Sequence, residues 1–180
     1  MNRQITIKLI TALSIILFIG GCGKWYKDEE LVLEKQPYTG NALRLDGYYY
    51  NRLDNGRILD TYFFYRDGTM LYGIETDSLD NDLDKYDVWF TDKEFLDFIK
   101  KHKYRWGLFQ IHGNSMYFER WVDSDGGYPV GRFVCNILND TTFFISTLEY
   151  PHSGEAYPQN HLFHFHAFSP KPDSTNIFVP

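Results

Sequence analysis

The chain has 180 residues, with 18 Lys and Arg against 24 Asp and Glu, a formal charge of −6. That balance excludes a basic nucleic-acid footprint, and the single basic run, Lys100-Lys101-His102-Lys103, sits at the end of an expected helix, where cations complement the helix dipole. With only two cysteines, Cys22 and Cys135, a disulfide framework is excluded if either is otherwise engaged.

The first element in chain order is a charged and then apolar leader. Arg3 and Lys8 precede Leu9 to Ile19, which is almost wholly apolar. A spanning helix needs about 20 apolar residues, so this run is too short and matches a signal-peptide core. It closes on Ile19-Gly20-Gly21-Cys22. A branched apolar residue, two small residues and a cysteine resemble the lipobox of bacterial lipoproteins. The resemblance implies a signal peptide over 1–21, cleavage before Cys22, and a diacylglyceryl thioether on its sulfur, with palmitate-like chains there and on the freed amine. Two or more acyl chains hold a domain on a membrane without a spanning segment. Gly23, rather than aspartate, follows the cysteine, which implies the outer membrane, on its periplasmic or outer side. Loss of 1–21 removes Arg3 and Lys8, leaving 16 basic against 24 acidic residues and a charge of −8.

Residues 22–41 read as a lipidated tether, including the acidic run Asp28-Glu29-Glu30, which reads as a solvated linker. Residues 42–180 read as one domain in which β-formers and turn signals alternate. Expected strands are 43–53, 58–65 and 69–74, with turns at Asn55-Gly56 and Asp67-Gly68. Residues 75–87 are acidic and read as a loop. Thr91-Asp92-Lys93-Glu94 reads as a capping box, opening a helix near 92–102 whose Phe95, Phe98 and Ile99 face the core. Strands resume at 105–112, 115–122, 130–138 and 141–148. A longer loop spans 150–158, and a last strand is expected at 161–168.

Eight strands joined mostly by tight turns force antiparallel neighbours, and such a set abolishes its edges by closing. The expected fold is therefore mainly β, an eight-stranded antiparallel up-and-down barrel with one inserted helix, with a two-sheet sandwich as the alternative. Gly47-Tyr48-Tyr49 on the first strand resembles the Gly-x-Trp opening of lipocalins, with Tyr replacing Trp. Phe143 and Ile145 point one way, Phe144 and Leu148 the other, so some strands are apolar on both faces and need an outer cover.

No residue set nominates an enzyme. His152-Ser153-Gly154 lacks a nucleophile elbow, and phosphate-cradling glycine loops are absent. Asp80 to Thr91 departs from a calcium loop at its sixth and twelfth positions. His164 and His166 share a strand face and are the metal candidates, with His112, His152 or Glu119 as possible third ligands. Two imidazoles alone seldom fix zinc, so no metal and no cofactor is expected. Cys135 shares a face with Phe133 and Ile137 and reads as a small buried hydrophobe. Tyr48, Tyr50, Tyr62, Trp106, Trp121 and Tyr150 either fill a core or line a site. Two functional readings follow: a membrane-anchored binder of a small apolar or aromatic ligand, and an accessory interaction subunit of an envelope complex. An open lumen would favour the first, a filled one the second.

Overall fold

Eight antiparallel strands close into one barrel in simple sequence order, from β1 to β8 and back to β1. This is a computed structural model, and it describes residues 28–53, 58–75, 82–124 and 126–179. The strands are β1 (Gly47–Arg52), β2 (Ile58–Phe64), β3 (Thr69–Glu75), β4 (Trp106–His112), β5 (Ser115–Trp121), β6 (Val130–Asn139), β7 (Thr142–Tyr150) and β8 (Glu155–Ala167). The barrel is the one expected, and the two-sheet alternative is not formed. Closure occurs between β1 and β8, from Gly47 opposite Ala167 to Asn51 opposite Phe163. A Cβ on Gly47 would lie 2.0 Å from the His166 carbonyl oxygen, so only glycine permits this approach.

Alternation along each strand sorts the side chains into two layers. The interior holds Tyr49, Tyr62, Phe64, Met70, Tyr72, Phe109, Phe118, Phe133, Cys135, Phe143 and Phe163, all nearly without solvent contact. The outer layer holds Tyr48, Phe63, Leu71, Trp106, Leu108, Trp121 and Val130, which are buried too. Three segments bury that outer layer: a pair of helices, an N-terminal strap over residues 28–46, and the C-terminal tail with Phe168 and Val179.

The helical insert differs from expectation. It is two helices, α1 (Leu83–Thr91) and α2 (Lys93–Lys100), followed by a short turn of 3-10 helix at Lys103–Arg105. The segment 83–87 was expected to be loop because of its charge. Its Leu83, Tyr86 and Phe90 nevertheless recur at helical spacing, and Tyr86 and Phe90 are buried against the wall. Asp92, with extended backbone (φ −72°, ψ 119°), ends α1 and caps α2 by accepting from the Phe95 N–H at 2.7 Å. Thr91 is therefore not the cap: its hydroxyl donates back to the Val88 carbonyl at 2.8 Å. Starting α2 at Lys93 turns Phe95, Leu96 and Ile99 toward the barrel and leaves Phe98 55% exposed, over the His102 ring.

Two strand details also differ. The expected loop at 150–158 is a four-residue turn, 151–154, closed by the Gly154 N–H donating to the Tyr150 carbonyl at 2.8 Å, with Gly154 at φ +77°. Pro158 can then lie inside β8, because in this half the strand pairs with β7 while β1 pairs with residues 163–167. A register shift between Ile145 and Thr147 changes the parity of β7. Leu148 consequently packs against the same interior cluster as Phe143 and Ile145, not opposite to them.

Candidate functional site

The lumen is the first place to look in a small barrel, and here it is full. Phe118 stacks on Phe133 with centroids 4.6 Å apart, and Phe143 stacks on Phe163 at 4.9 Å. Tyr62 sits between Phe118, Phe163 and Tyr72 at 5.0 to 5.3 Å. Eight strands leave an interior that side chains can fill, and these rings do so. Cys135 lies among them with its thiol raised well above the usual range by burial, an unreactive position.

The two ends are closed by different chemistry. The upper end carries the turns at 65–68, 113–114 and 140–141. There the strap folds across the opening and sinks Leu43, 2% exposed, into the interior. The Tyr49 hydroxyl donates to the Asp140 carbonyl at 2.7 Å beneath it. Outside this plug lies an open groove lined by Asn41, Leu43, Arg44, Asp46, Arg66 and Asp140. Its Arg44, Asp46 and Arg66 side chains are already paired. Arg44 pairs with Asp46 and covers the Phe165 ring at 4.4 Å, and Arg66 donates to the Gly40 carbonyl at 2.6 Å. Lys171 donates to the carbonyls of Leu45 and Phe64, both at 2.7 Å; burial lowers its ammonium to about 8. The lower end carries the turns at 122–129 and 151–154. Here the rings give way to Arg120, whose guanidinium covers Tyr72 at 4.2 Å, while the Tyr72 hydroxyl donates to Asp60 at 2.7 Å.

The strap is the most specific feature of the wall. Glu119 projects outward from β5 and is 0% exposed. One oxygen accepts the backbone N–H groups of Val32 and Leu33 at 2.7 and 2.8 Å, and the other takes the Arg132 guanidinium. The acidic run is docked too. Asp28 pairs with Lys103 at 2.9 Å, and the Glu29 carboxylate accepts from the Val130 N–H at 2.7 Å. The Trp121 indole donates to the Glu29 carbonyl at 2.7 Å, and His152 Nε2 lies 2.8 Å from the Glu30 carbonyl. So the part of the expected tether within the described residues is an extended ribbon on the barrel, not a solvated linker. Lys100, at the other end of the basic run, holds the tail through Asp173 at 2.8 Å.

The histidines are spread. His164 is exposed on the outer face of β8 beside Tyr50. His166 lies on that face with Nε2 3.0 Å from Asp87, which also accepts from the Tyr48 hydroxyl at 3.0 Å. This Tyr48-Asp87-His166 chain ties α1 to the β1–β8 seam, and burial together with the Asp87 charge raises the Tyr48 phenol. His112 neighbours Gln110 at the upper end, His152 lies at the lower end, and Glu119 is spent on the strap. Among the described residues no three His, Cys, Asp or Glu side chains gather as metal ligands. Of the aromatic candidates, Tyr62 fills the lumen, Tyr48, Trp106 and Trp121 lie under the outer cover, and Tyr50 and Tyr150 are half-buried. The seam and strap were invisible in the sequence, though the alternation Leu31-Val32-Leu33-Glu34, inward and outward in turn, is the pattern of an extended ribbon. Cys22 lies outside the described residues. Among the described residues no helix is long and apolar enough to cross a membrane. No protein-family model, curated protein or solved structure matches the chain.

Proposed function

We propose that the chain is an outer-membrane lipoprotein, anchored by acyl chains on Cys22, and that its barrel works through its outside as an accessory subunit of an envelope protein assembly. The observation that carries this reading is the filled lumen. A small apolar or aromatic ligand inside would have to part the Phe118–Phe133 and Phe143–Phe163 stacks, each made of nearly unexposed rings. The outer wall supports the same reading. Helices, strap and tail cover the wall of the first strands, while Leu138 and Leu162 on β6 and β8 stay 60% and 39% exposed, with Phe144 opposite Leu162. Exposed apolar surface of this kind suits a protein contact.

The test combines anchoring and cargo. Cys22→Ala is expected to release the protein from membranes and to abolish labelling by a fatty-acid analogue; persistence of either outcome removes the lipoprotein reading. Native mass spectrometry of the detergent-extracted wild-type protein is expected to show a protein partner. A stoichiometric small molecule on the barrel, with no protein bound, would instead restore the ligand reading.

A further inference from the structure

We infer that the lower end of the barrel faces the membrane and the upper end, with the Arg44–Asp46 groove, faces away from it. This rests on the reading of Cys22 as the acylated residue. The strap enters at the lower end and is fixed there from its first described residue. Asp28 is held by Lys103, Glu29 by Tyr128, Trp121 and Val130, and Glu30 by His152. Only residues 23–27 separate Cys22 from that clamp. Six Cα-to-Cα steps span at most about 20 Å when fully extended.

The strap then runs the length of the wall, past Glu119 and Gln110, to the upper end, where Lys35 meets Asp67 and Tyr38 meets Arg66. β5, seven residues long, covers about 20 Å along its own direction from one end to the other. To bring the upper end to the bilayer, residues 23–27 would have to spend most of their reach running back along the barrel, about 15 Å for strands tilted by about 40°. The lower end reaches it without stretching. Glu30, Asp123 and Glu155 are exposed at the lower end beside Arg52, and Lys24 and Lys27 belong to the connection, so the described part of that end offers anionic headgroups no uniformly basic face. The short connection sets the orientation. It leaves the upper groove and the apolar wall of β6 to β8 open to partners from the aqueous side.

The test uses the full acylated protein in vesicles of phosphatidylcholine and phosphatidylglycerol carrying a trace of acceptor-labelled lipid. Ser153→Cys in the lower β7–β8 turn and Asn114→Cys in the upper β4–β5 turn each take a donor fluorophore; both positions are exposed, and buried Cys135 stays unlabelled. Energy transfer from position 153 is expected to exceed that from 114 several-fold. A flexible Gly/Ser insert of about twelve residues after Gly23 is expected to erase the difference. Equal or reversed transfer in protein that floats with the vesicles and carries acyl mass overturns the orientation and leaves the anchor standing. A difference that survives the insert overturns the short connection as its cause. Protein that neither floats nor carries acyl mass overturns the anchor, and this inference with it.

Discussion

Glu119 shows how one residue couples two parts of the chain. A carboxylate without solvent contact is stable only when its oxygens are occupied, and Glu119 has Arg132 on one oxygen and two backbone N–H groups of the strap on the other. Glu119→Ala strands Arg132 and frees the strap at once. Denaturant unfolding should show a loss of about 3–5 kcal/mol, the range for breaking a buried ion pair from one side. Limited proteolysis should cut the variant near Val32 well before the barrel. The sequence offers Glu119 as nothing more than a polar residue at an outward strand position. Arg132 is its cross-strand neighbour, 13 residues on, but its strap partners lie 86 and 87 residues away, beyond any local pattern.

At the scale of elements, α1 is the instructive case. Its residues Leu83, Asp84, Lys85 and Asp87 read as a charged loop, yet Tyr86 and Phe90 supply a buried stripe that the β1–β2 wall accepts. Phe90 meets Phe63 edge-on at 4.8 Å and Tyr48 at 5.2 Å. Phe90→Ala should therefore cost about 3–5 kcal/mol, the range for truncating a buried phenylalanine. Val88→Ala, on the face that is 65% exposed, should change stability by no more than about 0.5 kcal/mol. Equal effects in paired denaturant titrations would mean that α1 does not pack as described. The helical period was present in the sequence; the net charge masked it, because a helix needs only one apolar stripe when a wall is waiting to receive it.

At the scale of the whole molecule, the many buried phenols govern behaviour in alkali. Tyr48, Tyr49, Tyr62, Tyr65 and Tyr72 all have phenols raised above the ordinary value of 10.0, chiefly by burial. A raised folded-state value means that the unfolded chain loses these protons first. The stability they contribute is complete below pH 10 and is lost as pH climbs above it, by about 1.4 kcal/mol per pH unit for each proton. Lys171 acts oppositely. Its folded value of about 8 lies below the ordinary 10.5, so between these the folded state holds fewer protons and stability rises with pH. Thermal melts should therefore show a shallow gain from pH 8 toward 10 and a steep fall beyond it. The tyrosinate absorbance of these five phenols should appear in one step with unfolding; its gradual appearance while the protein stays folded would show them to be exposed. What the sequence determined by itself was the count and direction of the strands, the turns near 66–68, 113–114 and 139–140 (that at Asn55-Gly56 lies outside the described residues), and the sorting of Phe143, Cys135 and Tyr62 to buried faces, because period-2 alternation and turn chemistry are local. Only the tertiary structure decided that rings fill the lumen, that residues 28–46 bind the wall instead of swinging free, and that Asp87 joins Tyr48 and His166. Each of those depends on residues far apart in the chain that meet only once closure between β1 and β8 has fixed which surfaces face inward, which face outward, and which still need a cover.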